Sequence, residues 1–194
     1  MEKTKVAVLV SGGGTNLQAI IDKVADGSLP QVELVKVISS KEGAFALERA
    51  AKAGVPTTVA KEQEQVLEEL KASGAEIIVL AGYMKVLSAE IIKNYRNRIV
   101  NIHPSLIPKF CGKGFYGMRV HNAVIEAGEK ESGATVHYVD EGVDTGEIIM
   151  QERVPVLEGD TPEDLAARVL KVEHVILAKG LEAAIEKLKK EGDN

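Results

Sequence analysis

One segment of the chain combines an amide, an imidazole and a proline at close spacing. Asn101 and His103 end a short apolar run rich in β-branched residues, and Pro104 follows them. Strand side chains alternate between two faces, so we expect Asn101 and His103 to share one face at the carboxyl end of a strand that Pro104 terminates. An amide N–H can stabilise an oxyanion, and an imidazole can move a proton near neutral pH. The spacing therefore favours chemistry at a carbonyl carbon.

A further acid candidate lies in a later turn, where Asp140, Glu141 and Asp144 fall close together. Three interpretations stay open: a solvated turn, a cation site whose spacing does not fit an EF-hand loop, or a carboxylate that reaches His103. In the third, Asp144 would favour the protonated imidazole and raise its pKa. His137 precedes this turn in an apolar strand, and we interpret it as a structural histidine with its hydrogen bonds satisfied.

A glycine-rich loop, residues 11–14, joins a strand that is apolar on both faces to a helix beginning at Thr15. Thr15 and Gln18 are spaced as a capping box. Glycine backbone followed by helix N–H groups can hold a phosphate, although a tight turn without a ligand is the plain alternative. Leu17 replaces the third glycine of a dinucleotide fingerprint, and no Gly-Lys-Ser/Thr follows, so neither standard nucleotide motif is present.

The remaining pattern alternates apolar runs with amphipathic segments. It predicts an α/β fold, a doubly wound and mostly parallel sheet, with an antiparallel C-terminal hairpin and a C-terminal helix. That helix would start at Thr161 and end near Lys189, with a break near Gly180. Residues 81–87 are unusually apolar for a loop, so they either cover the core or line a pocket. We place His121 at the solvent-facing or boundary side of its helix.

The composition is that of a single globular protein. The 194 residues carry a net charge of -5, and there is one cysteine, Cys111. These numbers argue against a nucleic-acid footprint, an intramolecular disulfide and a cysteine-rich metal site. No apolar run is long enough to span a bilayer, so we expect a cytoplasmic protein. Residues 1–190 would form one domain and 191–194 a polar tail.

Three segments together resemble those of a known family. They are Asn-Ile-His-Pro-Ser-Leu-Ile-Pro at 101–108, Val-Asp-Thr-Gly at 143–146 and Ser-Gly-Gly-Gly-Thr-Asn-Leu-Gln at 11–18. Over nearly its whole length the chain resembles the folate-dependent phosphoribosylglycinamide formyltransferases of purine synthesis. The resemblance implies a Rossmann-like formyltransferase fold.

The resemblance also implies residues for two substrate sites and for the reaction. The catalytic residues would be Asn101, His103 and Asp144. The residues that bind glycinamide ribonucleotide would be Gly13, Gly14, Thr15, Asn16 and Glu173. The residues that bind the folate would be Lys61, Met84, Lys85, Val86, Leu87, Asn101, Asp140, Glu141, Gly142 and Val143.

The implied activity is transfer of the formyl group of 10-formyltetrahydrofolate to the amine of glycinamide ribonucleotide, on the route to IMP. Asn101 and a protonated His103 would stabilise the formyl oxyanion, while Asp144 would keep His103 charged and order a water for proton relay. The folate is a co-substrate and no metal is needed. Both partners are small molecules, nucleic acid and membrane are not expected, and the protein would be a monomer or a homodimer.

Three other functions fit parts of the pattern. Formyltetrahydrofolate deformylase, a hydrolase, has a similar domain and usually an additional N-terminal one. Methionyl-tRNA formyltransferase adds an RNA-binding domain and a basic surface, which a net charge of -5 disfavours. A non-catalytic nucleotide-binding module would keep the glycine loop, but it would have no reason to place Asn101, His103 and Asp144 together.

Overall fold

The structure, a computed structural model, describes residues 2–192. Strands and helices follow one another as the apolar periodicity predicts. The strands are Thr4–Val10 (β1), Val32–Ser39 (β2), Thr57–Val59 (β3), Ile77–Leu80 (β4), Ile99–His103 (β5), Glu131–Tyr138 (β6) and Ile148–Pro155 (β7). The helices are Thr15–Ala25 (α1), Phe45–Lys52 (α2), Gln63–Ser73 (α3), Ala89–Asn94 (α4), Met118–Glu126 (α5) and Pro162–Gly192 (α6).

All seven strands form one sheet in the order β3-β2-β1-β4-β5-β6-β7. The pairs from β3 to β5 are parallel, and β6 and β7 add an antiparallel hairpin. The predicted fold class is thereby confirmed. The chain leaves β1 in one direction and returns to its other side at β4, so the strand order reverses there. In open α/β sheets, ligands bind at the carboxyl ends of strands beside such a reversal.

Helices cover both faces of the sheet. In β1, Val6, Val8 and Val10 pack into a core with α1, α2, α5 and α6, whereas Ala7 and Leu9 pack into a second core with α3 and α4. This alternation follows from the two-residue period of a strand. It explains why β1 is apolar on both faces, and it leaves the strand ends as the place where polar groups can gather.

The predicted helix starts at Thr15 and Thr161 are confirmed to within one residue, whereas the side-chain cap predicted for α1 is wrong. Ser88 accepts a hydrogen bond from the Ile91 N–H, and Thr161 and Asp164 cap each other's backbone N–H groups. At α1 the capping box predicted for Thr15 and Gln18 does not form. The helix instead starts from Gly14, whose φ of 73° lies in the left-handed region, with no side-chain cap.

Helix α6 runs for 31 residues without the predicted break. Gly180 lies within it because an added Cβ would come 2.5 Å from Val136 of the sheet, so this glycine permits close packing and does not interrupt the helix. Residues 191 and 192, predicted to start a polar tail, belong to α6. Asp193 and Asn194 lie outside the described residues, and the single domain 1–190 stays a prediction. No helix among residues 2–192 has the length and apolar character needed to cross a membrane.

Candidate active site

Asn101 and His103 lie at the carboxyl end of β5. Asn101 pairs with His137 across the antiparallel β5–β6 ladder, and Asn101 Nδ2 lies 3.0 Å from His137 Nε2. His137 Nδ1 lies 2.7 Å from the Tyr138 carbonyl oxygen. A carbonyl only accepts, so Nδ1 carries the hydrogen, and Nε2 is placed to accept from the Asn101 amide. The second amide hydrogen of Asn101 is then free to donate to a ligand.

His137 is therefore more than the structural histidine we predicted. It is buried and has its hydrogen bonds satisfied, as expected, but it also orients Asn101 and lies 3.6 Å from Asp144 Oδ1. This role follows from the place of His137 opposite Asn101 in the sheet. The cross-strand register was not predictable before the hairpin was paired with β5.

His103 points into the same site and is 5% exposed. Its Nε2 lies 2.9 Å from the Phe110 carbonyl oxygen, and its Nδ1 lies 3.5 Å from Asp144 Oδ2. Because Phe110 offers only an acceptor, Nε2 carries a hydrogen, and Nδ1 faces the Asp144 carboxylate.

The predicted rise in the pKa of His103 is wrong. Desolvation by burial lowers the pKa of His103 below its ordinary value, although the Phe110 carbonyl and the Asp144 carboxylate both raise it and His137 adds to the decrease. The loss of hydration destabilises the imidazolium more than the Phe110 carbonyl and the Asp144 carboxylate stabilise it. The lowered pKa favours the neutral form of His103.

Asp144 comes to the site from the turn after β6. Burial raises the pKa of its carboxyl, but the contacts with His137, the Gly112 N–H and His103 outweigh that effect and hold the pKa below its ordinary value. The Gly112 N–H donates to Oδ2 over 2.9 Å. Of the three interpretations of the acidic turn, a carboxylate that reaches His103 is the one this geometry fits.

Backbone strain marks the same place. Asp144 has φ of 57° and Phe110 has φ of 51°, both in the left-handed region that bulky residues rarely adopt. Such conformations cost about 1–3 kcal/mol and persist where surrounding structure enforces them. Both residues contact His103. The third non-glycine residue with positive φ among residues 2–192, Asn97, precedes β5.

A cleft of about 350 Å³ opens beside these residues. Its walls are the apolar loop after β4, the aromatic loop after β5 and the acidic turn. Met84 and Val86 are 48% and 69% exposed there, while Leu87 is buried. Predicted folate residues that line the cleft are Met84, Lys85, Val86, Leu87, Asn101, Asp140, Gly142 and Val143. The mixture of apolar walls and a few polar groups suits a flat ligand with a polar edge.

Two predicted folate residues lie outside the lining of this cleft. Glu141 forms an ion pair with Arg96 at 2.7 Å. Lys61 forms an ion pair with Glu42 at 2.6 Å, and its carbonyl oxygen accepts a hydrogen bond from Lys85 Nζ. Lys61 is thus joined to the cleft through Lys85, and its own ammonium group faces Glu42.

The glycine loop and the acid from the last helix meet at a second place. Asn16 Nδ2 donates to Glu173 Oε2 over 2.7 Å, and the Asn16 Oδ1 atom is buried without a partner among the described residues. Glu173 is 8% exposed, and burial raises the pKa of its carboxyl despite the hydrogen bond from Asn16. An unpartnered amide oxygen beside a buried carboxyl group suits a ligand with donor groups.

One hydroxyl connects the two places. Ser11 Oγ lies 2.6 Å from Ser40 Oγ and accepts a hydrogen bond from the Met84 N–H over 2.9 Å. Ser11 begins the glycine loop and Met84 belongs to the cleft wall. The loop after β1 and the loop after β4 are thereby held against each other.

The prediction for His121 is wrong. This residue is 5% exposed, and its Nδ1 is buried without a hydrogen-bond partner among the described residues. Burial and the nearby His103 lower the pKa of His121. Its burial depends on contacts outside α5, which the helical period does not determine.

Among residues 2–192, no group of three His, Cys, Asp or Glu side chains is arranged to hold a metal ion.

Comparison with known proteins gives one family. A model of the formyl transferase family matches residues 4–181. The trifunctional purine biosynthetic protein adenosine-3 of Drosophila pseudoobscura pseudoobscura is 45% identical over 206 residues, which cover 97% of this chain and 15% of that protein. The chain thus spans a small part of the length of this relative.

Two solved structures are similar in fold. Glycinamide ribonucleotide transformylase 1 from Symbiobacterium toebii has a TM-score of 0.86 and 41% identity, covering 92% of this chain and 86% of that one. A formyltetrahydrofolate deformylase from Pseudomonas syringae pv. tomato str. DC3000 has a TM-score of 0.87 and 27% identity. The match covers 96% of this chain and 62% of that one. The fold is common to both, and the sequence is closer to the transformylase.

Proposed function

Since the chain belongs to the formyl transferase family, we propose that it transfers the formyl group of 10-formyltetrahydrofolate to the amine of glycinamide ribonucleotide. The observation that carries the proposal is the convergence of Asn101, His103 and Asp144 beside the cleft, with His103 Nδ1 3.5 Å from Asp144 Oδ2. Similarity to a transformylase at 41% identity supports this choice of acceptor. A place in purine synthesis follows from the substrate.

Each substrate has a matching site in the proposal. The folate would lie in the cleft, with its pterin against residues 84–87 and its formyl group beside Asn101. The ribonucleotide phosphate would lie on the N–H groups of Gly13, Gly14, Thr15 and Asn16, where a helix N-terminus favours an anion. Glu173 and Asn16 would receive the ribose hydroxyls, which would give the unpaired Asn16 Oδ1 a partner.

The first step is attack of the ribonucleotide amine on the formyl carbon. A nitrogen–carbon bond forms, and negative charge develops on the formyl oxygen. The free N–H of Asn101, held in place by His137, donates to that oxygen. One preorganised donor of this kind contributes about 3 kcal/mol to transition-state stabilisation.

The second step is proton movement and release of the folate nitrogen. The attacking nitrogen loses a proton, the bond between the formyl carbon and N10 breaks, and N10 gains a proton. His103 Nδ1 and the Asp144 carboxylate are adjacent and can hold the proton between these events. General acid–base catalysis of this kind contributes roughly 100- to 10,000-fold. Neutral His103 is suited to accept the proton, and Asp144 stabilises the imidazolium while it exists.

A substrate-dependence assay tests the proposal. Loss of the 10-formyl folate is followed by absorbance with and without glycinamide ribonucleotide. We expect turnover only when the ribonucleotide is present. Formate release that is independent of the ribonucleotide would instead identify a deformylase, and tight ribonucleotide binding without turnover would identify a binding module. A cytoplasmic location and a monomeric or homodimeric state remain predictions.

A further inference from the structure

Helix α2 donates hydrogen bonds to two carbonyl groups of the glycine loop. The Gly12 carbonyl accepts from the Ala46 N–H over 3.1 Å, and the Gly13 carbonyl accepts from Arg49 Nε over 2.8 Å. In a planar trans peptide the carbonyl and the following N–H point in opposite directions. The N–H groups of Gly13 and Gly14 are therefore directed away from α2.

Those N–H groups have no partner within the described residues. The first backbone hydrogen bond of α1 runs from the Gln18 N–H to the Gly14 carbonyl, and the backbone N–H groups of residues 13–16 donate no hydrogen bond to any described residue. In a flexible loop, a peptide could rotate so that its N–H group bonds to a carbonyl of the same loop. Helix α2 opposes this rotation, because its donors already bond to the Gly12 and Gly13 carbonyls.

Arg49 is itself held at three points. Besides the Gly13 carbonyl, it donates from Nη1 to Gln18 Oε1 over 3.2 Å, and its Cζ lies 4.8 Å from the centre of the Phe45 ring. A planar guanidinium can serve two acceptors and stack on a ring at once, which an ammonium cannot. The Gly13 carbonyl thus has a rigid donor that also brings positive charge to the loop.

We propose that Arg49 is a positioning residue for the phosphate of the ribonucleotide. It fixes the peptide between Gly13 and Gly14 so that the Gly14 N–H is directed at the phosphate before the substrate arrives. The inference rests on the proposed function, because it takes the glycine loop as the phosphate site. Arg49 would act on binding of the phosphate and leave the formyl transfer itself unchanged.

The test compares Arg49→Met with Lys52→Met. Lys52 lies one turn further along α2, with its Nζ 5.9 Å from the same Phe45 ring centre, and makes no hydrogen bond to the loop among the described residues. Calorimetry measures the dissociation constants of the ribonucleotide, of its phosphate-free riboside and of the folate. We expect Arg49→Met to weaken ribonucleotide binding about 10- to 100-fold, the range for a lost charge-assisted hydrogen bond.

The matched ligands and variants separate a local effect from a general one. Binding of the riboside and of the folate should change by no more than about twofold in Arg49→Met, as should ribonucleotide binding in Lys52→Met. Arg49→Lys keeps the positive charge but loses the planar, forked guanidinium group. The ribonucleotide affinity of this variant should therefore fall between that of the wild type and that of Arg49→Met. The maximal rate at saturating substrate should be unchanged in all three variants.

Two outcomes would overturn the inference. One is an equal loss of riboside and ribonucleotide affinity in Arg49→Met, which would show general damage to the site. The other is an equal effect of Lys52→Met, which would show that charge alone is responsible. Should Arg49→Met fail to fold, Arg49→Lys answers the same question, and an affinity equal to that of the wild type contradicts the role of the fork. If the wild-type protein itself does not bind the ribonucleotide, the proposed function fails instead.

Discussion

At His103, burial and charge act in opposite directions. The imidazole is almost inaccessible to water, which favours its neutral form, while the Asp144 carboxylate at 3.5 Å favours the cation. Burial has the larger effect on the pKa. A neutral imidazole beside an ionised carboxylate is able to accept a proton and to keep it only briefly. This combination suits a step in which a proton passes from one nitrogen to another.

Replacement of Asp144 by Asn tests this arrangement. The change removes the charge and keeps the shape, so we expect activity to fall by about 100-fold or more. The carboxylate is one of the causes that raise the pKa of His103, so its loss lowers that pKa further. The acidic limb of the pH–rate profile should therefore move to lower pH. Rates measured with both substrates across the acidic range provide the check.

A carboxylate outside the cleft provides the control for this variant. Glu129 pairs with Lys109 outside the cleft, and Glu129→Gln should leave both the rate and the acidic limb unchanged. An acidic limb that keeps its position in Asp144→Asn would remove Asp144 from the titration that limits the reaction.

At the scale of elements, two similar sequence patterns gave different helix starts. Thr161 caps α6, as predicted, and Asp164 bonds back to the Thr161 N–H. Thr15 and Gln18 have the same spacing, but the chain enters α1 through Gly14 in the left-handed conformation. An added Cβ on Gly14 would lie 2.5 Å from Ala46. Contact with α2 therefore decides how α1 begins, and no local pattern contains that contact.

Gly180 provides a test of packing between α6 and the sheet. Gly180→Ala should gain about 1 kcal/mol of helix propensity. Overpacking against Val136 should cost about 1–3 kcal/mol, because the new Cβ would lie 2.5 Å from a buried branched side chain. We therefore expect a net decrease in the free energy of unfolding, measured by urea denaturation.

A double-mutant cycle identifies the cause of that decrease. In a Val136→Ala background the added methyl group has room, so Gly180→Ala should become neutral or stabilising. Gly192→Ala is the matched control, since an added Cβ there meets nothing within 4 Å. An equal loss in both backgrounds would exclude the clash with Val136.

At the scale of the whole molecule, the stability should depend on pH through buried histidines. Desolvation by burial lowers the pKa of His103, His121 and His174, although the charge of Asp22 partly opposes this at His174. The unfolded chain therefore binds more protons than the folded protein below the ordinary histidine pKa of 6.5. The contribution of these histidines to the free energy of unfolding is complete when the pH is above their ordinary pKa. It is lost as the pH falls toward their lower pKa values in the folded protein.

We expect the free energy of unfolding to decrease from about pH 7 to about pH 5.5, by at most about 1.4 kcal/mol per pH unit for each differing proton. Glu173 acts against this decrease, because burial raises the pKa of its carboxyl and the folded state takes up a proton there. Glu173→Gln should make the decrease steeper, and His174→Gln should make it shallower. Urea titrations at the two pH values measure both. A flat stability profile in the wild type would contradict the prediction.

Much of the architecture was predictable because it depends on local periodicity. Apolar runs of β-branched residues gave the strands, and the two-residue period correctly placed Asn101 and His103 on one face of β5. The alternation of strands and helices indicated a mostly parallel, doubly wound sheet.

The properties that were not predictable depend on contacts between distant segments. The partnership of His137 with Asn101 requires the register of an antiparallel pair, and the pKa of His103 depends on how much of the ring the loop after β5 covers. The burial of His121 has the same origin. These are consequences of packing, and a pattern in a single chain does not contain them.

The Ser11 hydroxyl, which accepts from the Met84 N–H, would couple two binding events thermodynamically in the proposed function. In the proposed function one loop holds the ribonucleotide and the other holds the pterin, and a single oxygen atom restrains both. Ordering of either loop by its ligand would reduce the entropy that the other has left to lose. The two affinities would then be reciprocal, each substrate strengthening the other by the same factor.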